Sequence, residues 1–131
     1  MRIYKAIILN EPYAGWVKSR KKKIETRMRK LNLEGEIIIC CDKGKSKYSP
    51  NAGKALCLVV FDKGRTMEDG DVKDACIENV PGRYAFPVLE ISFFSYEFQF
   101  SDYAITKNFQ GIFTIKLPDF VEILNQPKSN D

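Results

Sequence analysis

One basic segment near the start of the chain holds the side chains most able to do chemistry. Residues 18–30 carry eight basic side chains and a single acid, Glu25. Neutral and charged residues alternate along the second half of this segment, as they do in a strand that packs one face and presents ions on the other. Glu25 and Arg27 then share a face, where Glu25 can hold a cation in place or accept a proton. The spacing therefore predicts an ion-binding or acid–base site.

The composition narrows the chemistry that this site can do. The chain has no histidine, which excludes Ser-His and Cys-His catalysis and leaves Lys, Glu, Asp, Tyr and Cys as acids, bases or nucleophiles. Its four cysteines lie in or beside apolar runs without CxxC spacing, so we expect reduced thiols in a cytoplasmic protein, no metal site and no cofactor. The Gly44-Lys45-Ser46 segment is not a P-loop, because Ile39 stands where that motif needs its first glycine.

The charge is divided unevenly along the chain. Residues 1–65 contain 16 basic and 6 acidic residues, whereas residues 66–131 contain 5 basic and 11 acidic ones. Such segregation predicts a basic surface suited to phosphates, unless the two halves interleave in space and mix their charges. Within the basic half, residues 42–53 have the composition of a mobile loop. This loop is either a solvated connection or a flap that lays its lysines and Tyr48 along a polyanion.

The length and hydrophobic content predict one domain. The chain has 131 residues, of which 44% are hydrophobic, and this is enough for one sizeable core. We expect the domain to span residues 1–125 and a polar, frayed tail to occupy 126–131. The sequence has no apolar run of about 18 residues, the length needed to cross a bilayer, and no signal-peptide pattern at its start. We therefore expect a cytoplasmic protein without a membrane partner.

Apolar runs bounded by turn residues indicate the elements that must position the basic segment. A first strand is expected in residues 2–9, followed by a short helix that begins near Pro12 and buries Tyr13, Trp16 and Val17 on one face. The remaining predictions are a second short helix near residue 70, aromatic core residues within 96–103, an edge or bulge at Pro87, and strands at 37–41, 55–61, 84–94 and 110–117. Together they predict an α+β, mainly β fold: a small β-barrel of about six strands capped by two or three short helices.

The order of these features resembles the ASCH domain, a branch of the PUA-like superfamily related to the EVE and YTH modules. The family pattern Gly-x-Lys-x-x-Glu-x-Arg matches here at Lys22, Glu25 and Arg27. Arg20 stands at the position of the glycine, which is costly if the backbone there needs a positive φ. Further family-like pieces follow the same order along the chain: Pro12–Val17, Gly35–Ile39, Gly53–Leu56, Tyr84–Phe86 and Gln110–Phe113.

The resemblance implies a PUA-like barrel with a cleft beside the first helix, in which RNA or a nucleobase-containing ligand binds. The partner expected on this basis is RNA, another single-stranded nucleic acid or a modified nucleoside. The ligand-binding residues predicted for this cleft are Lys22, Glu25 and Arg27, and Trp16, Tyr84 or Phe86 would add a ring on which a base can stack. A rim of cations would contact phosphates: Lys18, Lys21, Lys23, Arg29, Lys43 and Lys45.

Three alternatives remain open beside this binding module. One is a hydrolase of the same fold, either a nuclease or an amidohydrolase similar to the family members that deacylate N4-acetylcytidine, with Lys22 and Glu25 as catalytic residues. In that group a catalytic threonine stands where this chain has Glu25. Another is a protein-interaction domain whose basic strip binds an acidic partner. The simplest is that Glu25 and Arg27 form an exposed cross-strand pair that stabilises the fold by less than about 1 kcal/mol.

Overall fold

The computed structural model describes residues 2–28, 31–106 and 108–124. Within these ranges there are eight strands and two short α-helices. The strands are β1 (Ile3–Leu9), β2 (Ile24–Arg27), β3 (Gly35–Cys41), β4 (Ala55–Phe61), β5 (Arg65–Thr66), β6 (Tyr84–Phe94), β7 (Phe113–Lys116) and β8 (Ile123–Leu124), and the α-helices are α1 (Tyr13–Lys18) and α2 (Val72–Ala75). Short 3₁₀ turns occupy Asp69–Asp71, directly before α2, and Phe100–Asp102.

The strands form one mixed sheet in the order β2-β6-β4-β3-β1-β7, and β5 and β8 also pair with β6. Strand β1 is parallel to β3 and antiparallel to β7, and the other pairings are antiparallel. The expectation of an α+β, mainly β fold with short helices is therefore confirmed. The two ends of the strand order do not pair with each other, so the sheet is not closed among the described strands.

Strand β6 links the site to the rest of the sheet. Its first half pairs with β2, from Tyr84 opposite Arg27 to Pro87 opposite Ile24, and its second half pairs with β4. The pairing of β6 with β4 has a register irregularity between Val88 and Glu90, directly after Pro87, which cannot donate a ladder hydrogen bond. Because β6 belongs to the acidic half of the sequence and lies between β2 and β4, the two halves of the chain interleave in space.

The apolar runs in β3 and β4 are buried on both faces of the sheet. In β3, Ile37 and Ile39 pack into one core cluster, while Ile38 and Cys40 pack into a second cluster on the opposite face. Helix α1 adds Ala14 and Val17 to the first cluster. A strand covered on both sides reads as a continuous apolar run, which explains why these two central strands are recognisable in the sequence.

Some predicted elements differ from the structure. The described residues form two strands more than the six expected, namely β5 and β8, and each is only two residues long. The aromatic stretch 96–103 contains buried Phe98 and Phe100, as expected, but Tyr96 is exposed and the chain turns at Phe100–Asp102. The predicted tail, residues 126–131, lies outside the described residues. No helix among the described residues is long and apolar enough to cross a membrane.

Candidate ligand-binding site

The candidate site is built on β2, whose two faces have different surroundings. Ile24 packs with Met67, Ala75 and Ala85 in a small core cluster on one side. Glu25 and Arg27, on the other face, lie opposite Phe86 and Tyr84 of β6. Glu25 is only 5% exposed. The alternation seen in the sequence is thus the alternation of a strand, and Glu25 is buried rather than part of an exposed cross-strand pair.

Lys22 reaches the same face through the turn that ends α1. Arg20 has φ 70°, in the left-handed region where glycine is favoured at a helix C-terminus. The Lys22 backbone N–H then donates to the Trp16 carbonyl over 2.9 Å, which fixes the start of the approach to β2. The Lys22 side chain is 2% exposed, and its ammonium donates to the Ala75 carbonyl and lies 3.8 Å from Glu25 Oε1.

Two arginines bring donors that the described residues do not satisfy. Arg27 Nε lies 3.1 Å from Glu25 Oε2, within ion-pair distance but not aligned for a hydrogen bond, and Arg27 Nη2 is likewise buried without a hydrogen-bond partner among the described residues. Arg83 Nε is in the same condition, although Arg83 Nη1 donates to Thr26 Oγ1 over 3.3 Å. Such orphaned buried donors are uncommon because leaving them unpaired is unfavourable by about 1–3 kcal/mol each.

A cavity of about 200 Å³ lies over these groups. Its polar lining comes from the ion-pair cluster and from a short stretch at the end of β1 and start of α1. The lining residues are Ile8, Leu9, Asn10, Tyr13, Lys22, Glu25, Thr26, Arg27, Ile77 and Arg83. The Tyr13 ring is 5.2 Å from the Lys22 ammonium. The cavity therefore combines aliphatic side chains and one aromatic ring with a carboxylate flanked by cations.

Burial changes the proton affinities of the two central groups in opposite directions. Burial raises the pKa of the Glu25 carboxyl, and the neighbouring Arg27 and Lys22 charges oppose this without reversing it. Burial lowers the pKa of the Lys22 ammonium, opposed in part by the Glu25 charge. Both shifts reduce the charge held in the cluster, as expected where water is excluded.

The Ala75 carbonyl that accepts from Lys22 belongs to the last residue of α2, and a second ion pair fixes the turn before this helix. Arg65 Nη1 and Nη2 donate to the two carboxylate oxygens of Asp71 over 2.6 and 2.8 Å. Asp71 also accepts from the Glu68 backbone N–H over 2.8 Å, so it fixes the turn that leads into α2. The hydrogen bonds from Arg65 lower the pKa of Asp71 to about 2. Arg65 and Asp71 therefore position α2 without lining the cavity.

No protein-family model matches the sequence, and no curated protein matches it. Among solved structures, the chain is similar to the crystal structure of a mutant ZmASCH protein from Zymomonas mobilis, with a TM-score of 0.53 and 15% sequence identity. The match covers 88% of this chain and 89% of that chain. This chain has an ASCH-like fold. At this identity the likeness concerns the fold, and the chemistry must be argued from the residues themselves.

In this ASCH-like fold, Lys22, Glu25 and Arg27 meet at one cavity, whereas the three predicted stacking rings do not line it. Trp16 is half-buried, and the Lys21 ammonium lies 4.1 Å from its ring centre. Tyr84 is half-buried opposite Arg27. Phe86 is 4% exposed and packs in the first core cluster. The aromatic ring that the structure places at the cavity is Tyr13.

None of the described residues of the predicted phosphate rim lines the cavity of the ASCH-like domain. Lys21 and Lys23 are exposed on either side of Lys22 in the sequence, and Lys18 forms an ion pair with Glu97. Lys43 and Lys45 are exposed on the loop between β3 and β4. Arg29 lies outside the described residues.

Sequence reasoning missed Asn10, Tyr13 and Arg83 as cavity residues. Tyr13 had a signal, because it precedes the basic segment on the apolar face of the predicted helix. Arg83 had none: it reaches Thr26 only because β2 and β6 pair in the register that places Ala85 opposite Thr26. A register between strands distant in sequence cannot be read from either strand alone.

Proposed function

We propose that this domain binds a nucleobase in the cavity formed by Lys22, Glu25, Arg27 and Arg83. The base would be presented by RNA, by another single strand or by a modified nucleoside. One observation carries the proposal: buried arginine donors without partners belong to the same cavity lining as a buried carboxylate. The site therefore offers donors and an acceptor side by side.

A polar, planar ligand meets these requirements. Base edges carry hydrogen-bond donors and acceptors close together in one plane, and arginine and glutamate side chains both pair with them. The orphaned nitrogens of Arg27 and Arg83 would gain acceptors, and Glu25 would accept an N–H group. Because unpaired buried donors are unfavourable, a ligand that satisfies them gains free energy on binding.

The position of Glu25 favours a base over a phosphate as the occupant. Glu25 Oε1 and Oε2 lie 3.8 and 3.1 Å from the Lys22 and Arg27 nitrogens, so a buried carboxylate stands between the two central cations. An anion placed here would meet the Glu25 charge as well. Phosphates would bind better to the exposed lysines outside the cavity, because contacts with the nucleic-acid backbone do not depend on the base sequence.

The size of the cavity also favours a single ring system. At about 200 Å³ it is smaller than the about 300–1,000 Å³ typical of sites for drug-sized ligands. Ile8, Ile77 and the Tyr13 ring supply apolar walls against which a flat ring can pack. Bases in single strands are exposed for such packing, whereas those in a duplex are stacked inside it.

Nucleoside titration tests the proposal. Calorimetric titration with cytidine, uridine, adenosine, guanosine and N4-acetylcytidine should show saturable binding of at least one, and none of ribose 5-phosphate. Glu25→Gln and Arg83→Gln should each weaken that binding by about tenfold, the effect of losing one hydrogen bond to a charged group. Lys23→Gln, at an exposed lysine of the same segment, should leave it unchanged. No binding of any nucleoside would overturn the proposal.

A second candidate function, hydrolysis at the same site, is favoured by Lys22. Its ammonium is 2% exposed and its pKa is lowered by burial, which increases the fraction of neutral amine able to act as a base. Lys22 would take a proton from water attacking an acyl carbonyl, and Glu25 would return a proton to the departing amine. Applied to N4-acetylcytidine, this yields acetate and cytidine.

Product analysis tests the hydrolase candidate. The protein is incubated at high concentration with N4-acetylcytidine, labelled RNA and labelled single-stranded DNA, with and without magnesium. Hydrolysis should appear with one of these and be lost in Lys22→Met, which keeps an unbranched side chain one atom shorter than lysine but cannot carry a proton. Absence of product from all three would exclude this candidate and leave the binding function.

A further inference from the structure

We propose that the loop between β3 and β4, residues 42–54, is a preformed arm that binds the backbone and one base of a single-stranded nucleic acid. This inference rests on the proposed function, because it makes the ligand a strand that extends out of the cavity rather than a free nucleoside. It concerns a surface that does not line the cavity.

The composition of this loop predicts a mobile segment, but hydrogen bonds to Glu11 hold it in place. Glu11 Oε2 accepts hydrogen bonds from Ser49 Oγ over 2.6 Å and from Asn51 Nδ2 over 2.9 Å. The Glu11 backbone N–H donates to Ser46 Oγ over 2.9 Å. Burial opposes ionisation of Glu11, but hydrogen bonds from Ser49, Gly15 and Asn51 together lower its pKa. A loop pinned in this way loses little conformational entropy when a ligand binds.

The outer surface of the pinned loop carries one aromatic ring and three cations. Tyr48 is 92% exposed, so the fold gains almost nothing from burying it. Lys43, Lys45 and Lys47 are exposed on the same loop, and the Lys47 ammonium lies 5.2 Å from the Tyr48 ring centre. Asp42, the loop's own acid, accepts from the Lys45 backbone N–H over 2.5 Å. The side-chain charges of the three lysines remain available to a ligand.

The loop adjoins the cavity through consecutive residues. Asn10 lines the cavity, and the next residue, Glu11, anchors the loop. Tyr13, two residues further, lines the cavity again. The proposal places the path of the strand from the cavity past the loop that carries Tyr48.

This combination fits a single strand better than other polyanions. Single-stranded nucleic acids are bound by cations that follow the backbone and by exposed rings on which bases stack. A duplex does not offer free base faces to Tyr48. An anionic membrane or an acidic protein would also use the lysines, but neither offers the succession of phosphates and flat bases that fits cations beside an exposed ring.

Binding of fluorescein-labelled single-stranded RNA, measured by anisotropy over a range of salt concentrations, tests the arm. The slope of log affinity against log salt is negative. In the triple variant Lys43→Gln, Lys45→Gln, Lys47→Gln, its magnitude should decrease by about 2, since each phosphate contact contributes about 0.7 for single strands. Tyr48→Ala should weaken binding at least about fivefold, the lower end of the stacking effect per base. Tyr48→Phe should bind as the wild type does, because the ring is retained.

A control variant removes the same number of positive charges from a different part of the surface. Lys5→Gln, Lys63→Gln, Lys116→Gln replaces three exposed lysines outside the loop and should leave the salt slope nearly unchanged. Equal loss of slope in both triple variants would overturn the arm, since the effect would then follow net charge alone. The proposal would also fail if the protein did not bind RNA, or if Tyr48→Ala bound RNA as tightly as the wild type. It would fail as well if anionic phosphatidylserine vesicles bound equally tightly and the same variants weakened that binding equally.

The RNA and nucleoside measurements together distinguish a failure of the proposed arm from a failure of the proposed cavity function. If Glu25→Gln weakens both nucleoside and RNA binding while the loop variants weaken RNA binding only, both inferences stand. If the loop variants have no effect but the cavity variants do, the arm fails and the proposed function stands. If RNA binds through the loop but no nucleoside binds and Glu25→Gln has no effect, the proposed function fails and the arm stands.

Discussion

Glu25 and Arg27 lie two residues apart on β2 and share one face, with Glu25 Oε2 3.1 Å from Arg27 Nε. Glu25 is buried and Arg27 is half-buried, but the geometry does not complete a hydrogen bond, and Arg27 Nη2 has no partner among the described residues. A purely structural buried pair normally satisfies its donors, because the desolvation of each unpaired charge is unfavourable. The incomplete pairing is what points to a ligand.

The raised pKa of Glu25 predicts a pH dependence of stability. The folded protein holds this proton more tightly than the unfolded chain, in which the pKa is near 4.5. Wild-type stability therefore falls relative to Glu25→Gln as pH rises from 4.5 through the folded-state pKa, and the difference is constant above it. Urea unfolding of both proteins from acidic to neutral pH checks this. If the wild type instead gains stability relative to the variant in this window, the folded-state pKa is lowered.

Arg20 is predicted to strain the turn that positions Lys22. Its φ of 70° is unfavourable for a residue with a side chain by about 1–2 kcal/mol. Arg20→Gly should therefore raise the free energy of unfolding by about 1 kcal/mol, after the greater flexibility of glycine in the unfolded chain is included. Arg20→Ala is the control, since it removes the contact of the guanidinium with Phe93 but keeps the strain. An equal gain from the alanine variant would show that the side chain, not the backbone, is responsible.

Gly64 is predicted to be indispensable for the packing behind Glu25. A Cβ at this position would lie 2.4 Å from the Phe86 ring, and Phe86 is the residue opposite Glu25 in β6. Gly64→Ala should lower the free energy of unfolding by about 2 kcal/mol through overpacking. Gly70→Ala serves as the matched control, because its Cβ would have no neighbour within 4 Å. Chemical denaturation that gave similar midpoints for both variants would contradict this packing.

Much of the fold could be predicted from local sequence. The apolar runs of β3 and β4 identified central strands because both of their faces are buried, and the alternation around Glu25 identified β2. The motif resemblance singled out Lys22 among five neighbouring cations, and the structure buries it at the cavity.

The rest depended on contacts between distant parts of the chain. Phe86 and Tyr13 are both aromatic, yet only the fold determines that Phe86 is covered by Gly64 and Tyr13 faces the cavity. The alternating aromatics Phe98 and Phe100 predicted an extended core segment. Their backbones do form hydrogen bonds with Ala55 and Gly53, but the chain then enters a 3₁₀ turn at Phe100–Asp102. The loop 42–54 looked mobile because Glu11, which anchors it, lies far away in the sequence.

The central claim is that the orphaned arginine donors contact a base, and NMR of the arginine Nε–H groups tests it most directly. The Arg27 and Arg83 signals, assigned with Arg27→Lys and Arg83→Lys, should shift saturably when the nucleoside that binds most tightly in calorimetry is added. Ribose 5-phosphate should leave both unchanged. If neither signal responds to any nucleoside, or if ribose 5-phosphate produces the same shifts, the cavity does not bind a nucleobase.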